Sequence, residues 1–248
     1  METLAVFHIL KNAGTTLIDR YKHNEGFVYQ RVANEVIYRY QSETQQSYYV
    51  DECNEPQPQV VFGHGVTFDW DNRLQNCVKY ATILRDPIDR IMSAFNYFRT
   101  EMASVHDKHT DIDFLTWIIN CSRMLPTPVY NQYQQFSKQT CLRIDYGRKI
   151  DTVREKQLFD EAVKNITRLS SVFFVEDNYI KKFDKLVKQY GLTPEPAVNY
   201  QHSTKFKLSQ LGLDYLHYDD LDDTDKRFVE QTTARDVEFY NYCKEKFA

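Results

Sequence analysis

Two short stretches carry residue types that bind anions. In FHILKNAGTTLI, Phe7 to Ile18, an apolar run ends in a loop holding Lys11, Asn12, Ala13, Gly14, Thr15 and Thr16. A loop between a buried strand and a helix start turns backbone N–H groups outward, and the helix dipole adds partial positive charge, so a phosphate can rest there. Lys11 brings a full charge, the threonines bring hydroxyls, and Ala13 and Gly14 keep the backbone accessible. In ILRDPIDRIMSAFNYFR, Ile83 to Arg99, Arg85 ends a predicted strand and Ser93 lies one to two turns into the next helix, so both can approach one phosphate. Each stretch has a plainer rival: a strand-to-helix turn with a surface lysine, and an Arg85–Asp89 ion pair along a helix. A nucleotide triphosphatase loop would read G-x-x-x-x-G-K-[ST]. Here the lysine precedes the only glycine by three positions, which argues against that reading while keeping the phosphate-loop geometry.

Such loops need strands to launch them and helices to receive them. Leu4 to Leu10, Gln59 to Gly65, Lys79 to Pro87 and Ser170 to Asp177 read as buried strands, β-branched or aromatic runs with Gly or Pro closing two of them. Helical spacing of apolar residues marks Ile88 to Met102, Lys156 to Leu169, Ile180 to Tyr190 and Asp225 to Phe247. A further helix from Thr15 to Tyr21 would be capped by Thr15 or Thr16. Strands alternating with helices predict an α/β fold of three layers, a central parallel sheet with helices on both faces.

The whole chain narrows the partners. Its 248 residues are 42% hydrophobic and 27% charged with seven Gly and seven Pro, which suits one globular domain over residues 1–248. A formal charge of −4 argues against broad affinity for nucleic acid or anionic membrane. No stretch reaches the ~18 apolar residues of a membrane span, and no secretory leader is evident. The five cysteines are odd in number and contain no C-x-x-C pair, so reduced thiols and a cytoplasmic location are expected. Eighteen Tyr and sixteen Phe fit a Tyr-rich core and surface better than a stacking groove.

Taken together, LKNAGTT and LRDPIDRIMSAFNYF resemble the sulfotransferase superfamily. The resemblance is to the carbohydrate branch that includes the heparan sulfate and uronyl 2-O-sulfotransferases. It implies a P-loop nucleotide-kinase-like fold and the donor 3′-phosphoadenosine 5′-phosphosulfate (PAPS), which leaves adenosine 3′,5′-bisphosphate (PAP). It also implies that the first loop holds the 5′-phosphosulfate end, with Lys11 facing the bond that breaks, and that Arg85 and Ser93 hold the 3′-phosphate. FGHGVTFDW, Phe62 to Trp70, falls where the 2-O-sulfotransferases carry a G-H segment with the catalytic base, and His64 is the matching position. The family often has another histidine two residues earlier; here that place is Phe62. The acceptor implied is a hydroxyl, on a glycan or small compound, and no metal is implied. A nucleotide kinase on a related fold and a noncatalytic glycan- or nucleotide-binding module are the rival functions.

Other features read as structural. His106 and His109 form H-x-x-H without a matching ligand set and suit a solvated loop or helix end. The acidic run Asp219 to Asp225 lacks the glycine and glutamate of a calcium loop and suits the start of the last helix. Asn199 to Leu211, with Lys205 and Lys207, reads as a loop able to close over cofactor or an acidic acceptor. Met124 to Tyr146 lacks periodicity and suits loops over a cleft.

Overall fold

The structure is a computed structural model that describes residues 2–9, 11–30, 38–41, 46–49, 59–64, 66–72, 74, 76–105, 113–118, 132–137, 152–196 and 204–247. Among the described residues seven strands run β1 (Glu2–Phe7), β2 (Phe27–Gln30), β3 (Tyr38–Gln41), β4 (Gln46–Tyr49), β5 (Val60–Gly63), β6 (Cys77–Leu84) and β7 (Leu169–Phe174). The helices include α1 (Gly14–Tyr21), α2 (Pro87–Val105), α3 (Thr152–Ile166), α4 (Tyr179–Lys188), α5 (Thr204–Gln210) and α6 (Asp223–Phe247), with a short helical stretch at 114–118. A five-stranded parallel sheet has the order β2-β5-β1-β6-β7, and β3 and β4 form a separate antiparallel pair.

Alternation along β1 sends side chains to opposite faces. Leu4 and Val6 join Val60 and Phe62 of β5 against Leu17 and Tyr21 of α1 and Phe183 and Val187 of α4. Ala5 and Phe7 point the other way, into a layer built with Leu158, Ala162 and Ile166 of α3 and Phe239, Tyr240 and Cys243 of α6. Near-continuous apolar strands follow from burial on both faces. A third cluster packs Ile91, Met92 and Phe95 of α2 against Phe114, Trp117 and Val229. The fold is therefore the expected three-layer α/β arrangement, with β1, which leads into the Lys11–Thr16 loop, at the centre of the sheet.

The chain leaves β1 toward β2 on one side of the sheet and returns to build β6 and β7 on the other. Ligands of open parallel sheets bind at the carboxyl ends of strands where the order reverses in this way. The residues after β5, β1 and β6 thus lie side by side at that edge.

One loop expectation is corrected. Thr204 to Gln210, expected within a loop, is α5, anchored by the fully buried Leu208. Leu213 N–H bonds Leu208 O (2.9 Å), Gly212 N–H bonds Ser209 O (3.1 Å), and Gly212 has φ 69, a Schellman stop that only a residue tolerant of left-handed backbone makes cheaply. Of Met124 to Tyr146 the described part is 132–137, where Gln132, Tyr133 and Phe136 are buried; the rest lies outside the described residues. Cys77 and Cys243 are free thiols, while His106 and His109 lie outside the described residues. No described helix is long and apolar enough to cross a membrane.

Candidate functional site

The loop after β1 combines left-handed backbone with an open helix start. Lys11 (φ 67) and Ala13 (φ 59) both occupy the left-handed region, which for non-glycine residues costs of order 1 kcal/mol each and collects at ligand-holding loops. The helix begins at Gly14, earlier than the threonines would place it, and its cap is Ala13, which has no side chain to offer. Its first turn holds no acidic residue, so no carboxylate of its own neutralises the dipole. Thr15 and Thr16 are exposed there. Gly14 is obligatory: a Cβ on it would sit 1.8 Å from His8 Nε2.

His8 reaches that position because β1 continues one residue, its N–H bonding Gly63 O at 3.0 Å. The register pairs Phe7 with Gly63, so the next residues, His8 and His64, are neighbours. Their rings stack at 4.1 Å with 20° between planes. His64 Nδ1–H donates to His8 O (2.5 Å), which assigns the proton to Nδ1 and leaves the lone pair on Nε2. Burial holds His64 below its ordinary value of 6.5, partly offset by that hydrogen bond. His8 is lowered well below 6.5, first by burial and then by the charges of His64 and Lys11 nearby. Both imidazoles are therefore neutral at pH 7. Phe62 also packs on His8, at 4.8 Å. The second imidazole beside His64 thus comes from the neighbouring strand.

Arg85 follows β6 directly and is half-buried. Its Nη1–H donates to Lys11 O at 3.4 Å, while Nε is buried without a hydrogen-bond partner among the described residues. Arg85 makes no ion pair with Asp89; the carboxylate of Asp86 instead caps α2, accepting from the N–H groups of Ile88 (2.9 Å) and Asp89 (3.1 Å). Lys11 Nζ lies 3.9 Å from the centre of the Tyr97 ring. Ser93, buried, is one helical turn before Tyr97 and shares its face of α2, the face toward Lys11. Asn12 turns inward: fully buried, its Nδ2 donates to Ile83 O and to Gln132 Oε1, both at 2.7 Å. Loop, Arg85, α2 and the two imidazoles thus converge on one edge of the sheet.

Reading the sequence missed three residues. His8 lies inside the quoted loop stretch, and a second imidazole there was a signal that only the strand register makes legible. Gln132 grips Arg85 by both backbone groups, accepting its N–H (3.0 Å) and donating to its carbonyl (2.7 Å). Tyr179, at the start of α4, faces Thr16 with Arg85 and Arg20 nearby, and burial raises its hydroxyl. Behind Gln132, Asp236 is fully buried and faces Arg90 Nη2 at 3.8 Å. Burial pushes Asp236 up to about 6 against the pull of Arg90.

Elsewhere, Lys205 lines a cavity of about 1010 Å³ with Arg99 and His217, yet Asp113, Asp214, Asp220, Asp222 and Asp225 line it too. That wall is a poor match for an acidic acceptor. Asp222 caps α6 through the N–H groups of Thr224 and Asp225, both at 2.8 Å, so part of the acidic run does serve the last helix. Among the described residues no cluster of three or more His, Cys, Asp or Glu is arranged to hold a metal.

Fold and site define a parallel α/β protein with a candidate anion-binding edge. No protein-family model matches the chain, and no curated protein does. Among solved structures it is similar to a sulfotransferase from Alicyclobacillus acidocaldarius, at 13% identity and a TM-score of 0.40, covering 97% of this chain and 95% of that one.

Proposed function

We propose that the chain, as one domain over residues 1–248, is a PAPS-dependent sulfotransferase acting on a hydroxyl acceptor, a carbohydrate or small compound, in the cytoplasm. The observation that carries this reading is the convergence of Lys11, Arg85 with a buried Nε that has no partner among the described residues, and the His8–His64 pair at the ends of adjacent strands. A buried cationic donor left without a protein partner suits an anionic ligand group. The residues present therefore fit a nucleotide carrying two anionic ends.

When bound, PAPS supplies an activated sulfuryl group whose leaving phosphate is already good. The uncapped start of α1, the hydroxyls of Thr15 and Thr16 and the Lys11 ammonium bind the 5′ end and stabilise charge as it develops on the leaving oxygen. Arg85 and Ser93 bind the 3′-phosphate, and Asn12 holds the loop from behind. His64 Nε2 takes the acceptor hydroxyl proton as that oxygen bonds to sulfur and the sulfur–oxygen bond to the phosphate breaks. His8 covers one face of His64 and orients it through its carbonyl, while burial keeps the ring neutral.

Calorimetric titration separates this reading from a kinase: tight binding of adenosine 3′,5′-bisphosphate without metal is expected, and preference for ATP with magnesium would overturn it. Incubation with labelled donor and an acceptor library, read by mass analysis, tests transfer. Bisphosphate binding without transfer to any acceptor would favour a binding module.

A further inference from the structure

We propose that Gln132 is a positioning residue that locks Arg85 to the Lys11–Thr16 loop, so that two anionic groups of one nucleotide are met in register. This rests on the nucleotide reading given above. All four hydrogen-bonding positions of the Gln132 amide are filled. Oε1 accepts from Asn12 Nδ2 (2.7 Å) and Arg85 N–H (3.0 Å), and Nε2 donates to Arg85 O (2.7 Å) and Asp236 Oδ2 (3.3 Å). One side chain therefore bonds the loop after β1, the residue after β6 and the last helix at once. The amide is fully buried, as are Asn12 and Asp236.

The far side of the clamp is anchored. Asp236 also accepts Tyr133 N–H (3.2 Å) and faces Arg90, while Asn12 is tied to β6 through Ile83 O. Neighbouring parallel strands alone would leave the loop and the Arg85 backbone to vary independently beyond the last ladder bond. Gln132 removes that freedom without touching a ligand itself. An apolar side chain in its place would remove four hydrogen bonds at once and leave the Arg85 N–H and C=O without this partner, while Asn12 keeps Ile83 O and Asp236 keeps Tyr133 N–H.

The consequence is specific to ligands that engage both elements. A nucleotide held at two points gains from the second contact only while the two sites keep their spacing. Calorimetry on the full chain would compare adenosine 3′,5′-bisphosphate with adenosine 5′-monophosphate, alongside thermal unfolding, for the wild type and Gln132→Met. The variant is expected to lose on the order of 10-fold or more in bisphosphate affinity while monophosphate affinity stays within about twofold. A lower melting temperature with an unchanged affinity ratio, or equal loss for both ligands, would overturn the clamp. If Gln132→Met does not fold, Asp236→Asn keeps the glutamine but loosens its anchor and should move the same ratio in the same direction by less; an unmoved ratio overturns the proposal equally. A wild type with no preference for the bisphosphate instead rejects the nucleotide reading, and the clamp's role with it.

Discussion

The two crossovers at the candidate edge build their helix starts in opposite ways. After β6, the helix start is closed by the protein: Asp86 caps α2, Pro87 occupies its first position and Asp89 sits in its first turn. After β1, the cap is Ala13, and α1 has no acidic residue in its first turn. A closed helix start has no N–H groups left for a ligand, so the second crossover offers side chains, Arg85 and Ser93. The open one offers backbone, at the cost of left-handed strain at Lys11 and Ala13. Under the proposed function this difference separates roles: the first crossover would stabilise charge as a bond breaks, and the second would grip the ligand.

Perturbing each side should expose that division. The largest effect is expected from His64→Ala beside the open crossover, where turnover falls on the order of 10²-fold or more while bisphosphate affinity holds, measured by initial rates and calorimetry. With the imidazole present, kcat/KM should fall on acidification only below 6.5, because burial delays protonation of His64. The same shift acts on stability: the unfolded chain takes up these protons near 6.5 and the folded chain only lower, so stability declines as pH drops through that window.

Arg85→Ala comes next, weakening bisphosphate binding by roughly 10- to 100-fold with saturated turnover less affected. A loss confined to turnover would dissolve the contrast between the crossovers. Thr15→Asp gives α1 the acidic first turn that it lacks. It should stabilise the unliganded protein by about 0.5 kcal/mol and yet weaken the bisphosphate about 10-fold, opposite signs that thermal melts and titration would resolve. The smallest effect is expected for Asp86→Ala, about 1 kcal/mol of stability from the lost cap with nucleotide affinity unchanged, read as a drop in melting temperature.

Much of the scaffold was legible because burial on both sheet faces leaves a local signature. Val60 to Gly63 and Cys77 to Leu84 lie within or within two residues of the apolar runs that announced them, and α2 starts one residue before its expected place. The short strand β2 carried no such signature: four residues at the sheet edge are too few to show a period. The Schellman stop of α5 was written in its Leu-Gly-Leu ending, but polar residues around it masked a helix held by one buried leucine. In the site, Lys11 and Arg85 were recognisable because their chemistry is local to a strand end. His8 was passed over because a histidine next to a strand says nothing until its neighbour is known.

By itself the sequence determined what each segment could do: which runs must be buried, which stretches carry helical spacing, and which loops carry charge and hydroxyls. Those properties depend on near neighbours along the chain, within the reach of a helical turn or a strand's alternation. The tertiary structure alone decided that His8 meets His64 across a strand pairing and that Gln132 and Asp236 close behind Arg85 and Asn12. Those partners are brought together by sheet order and register, and the packing energy that sets them is spread over the whole core.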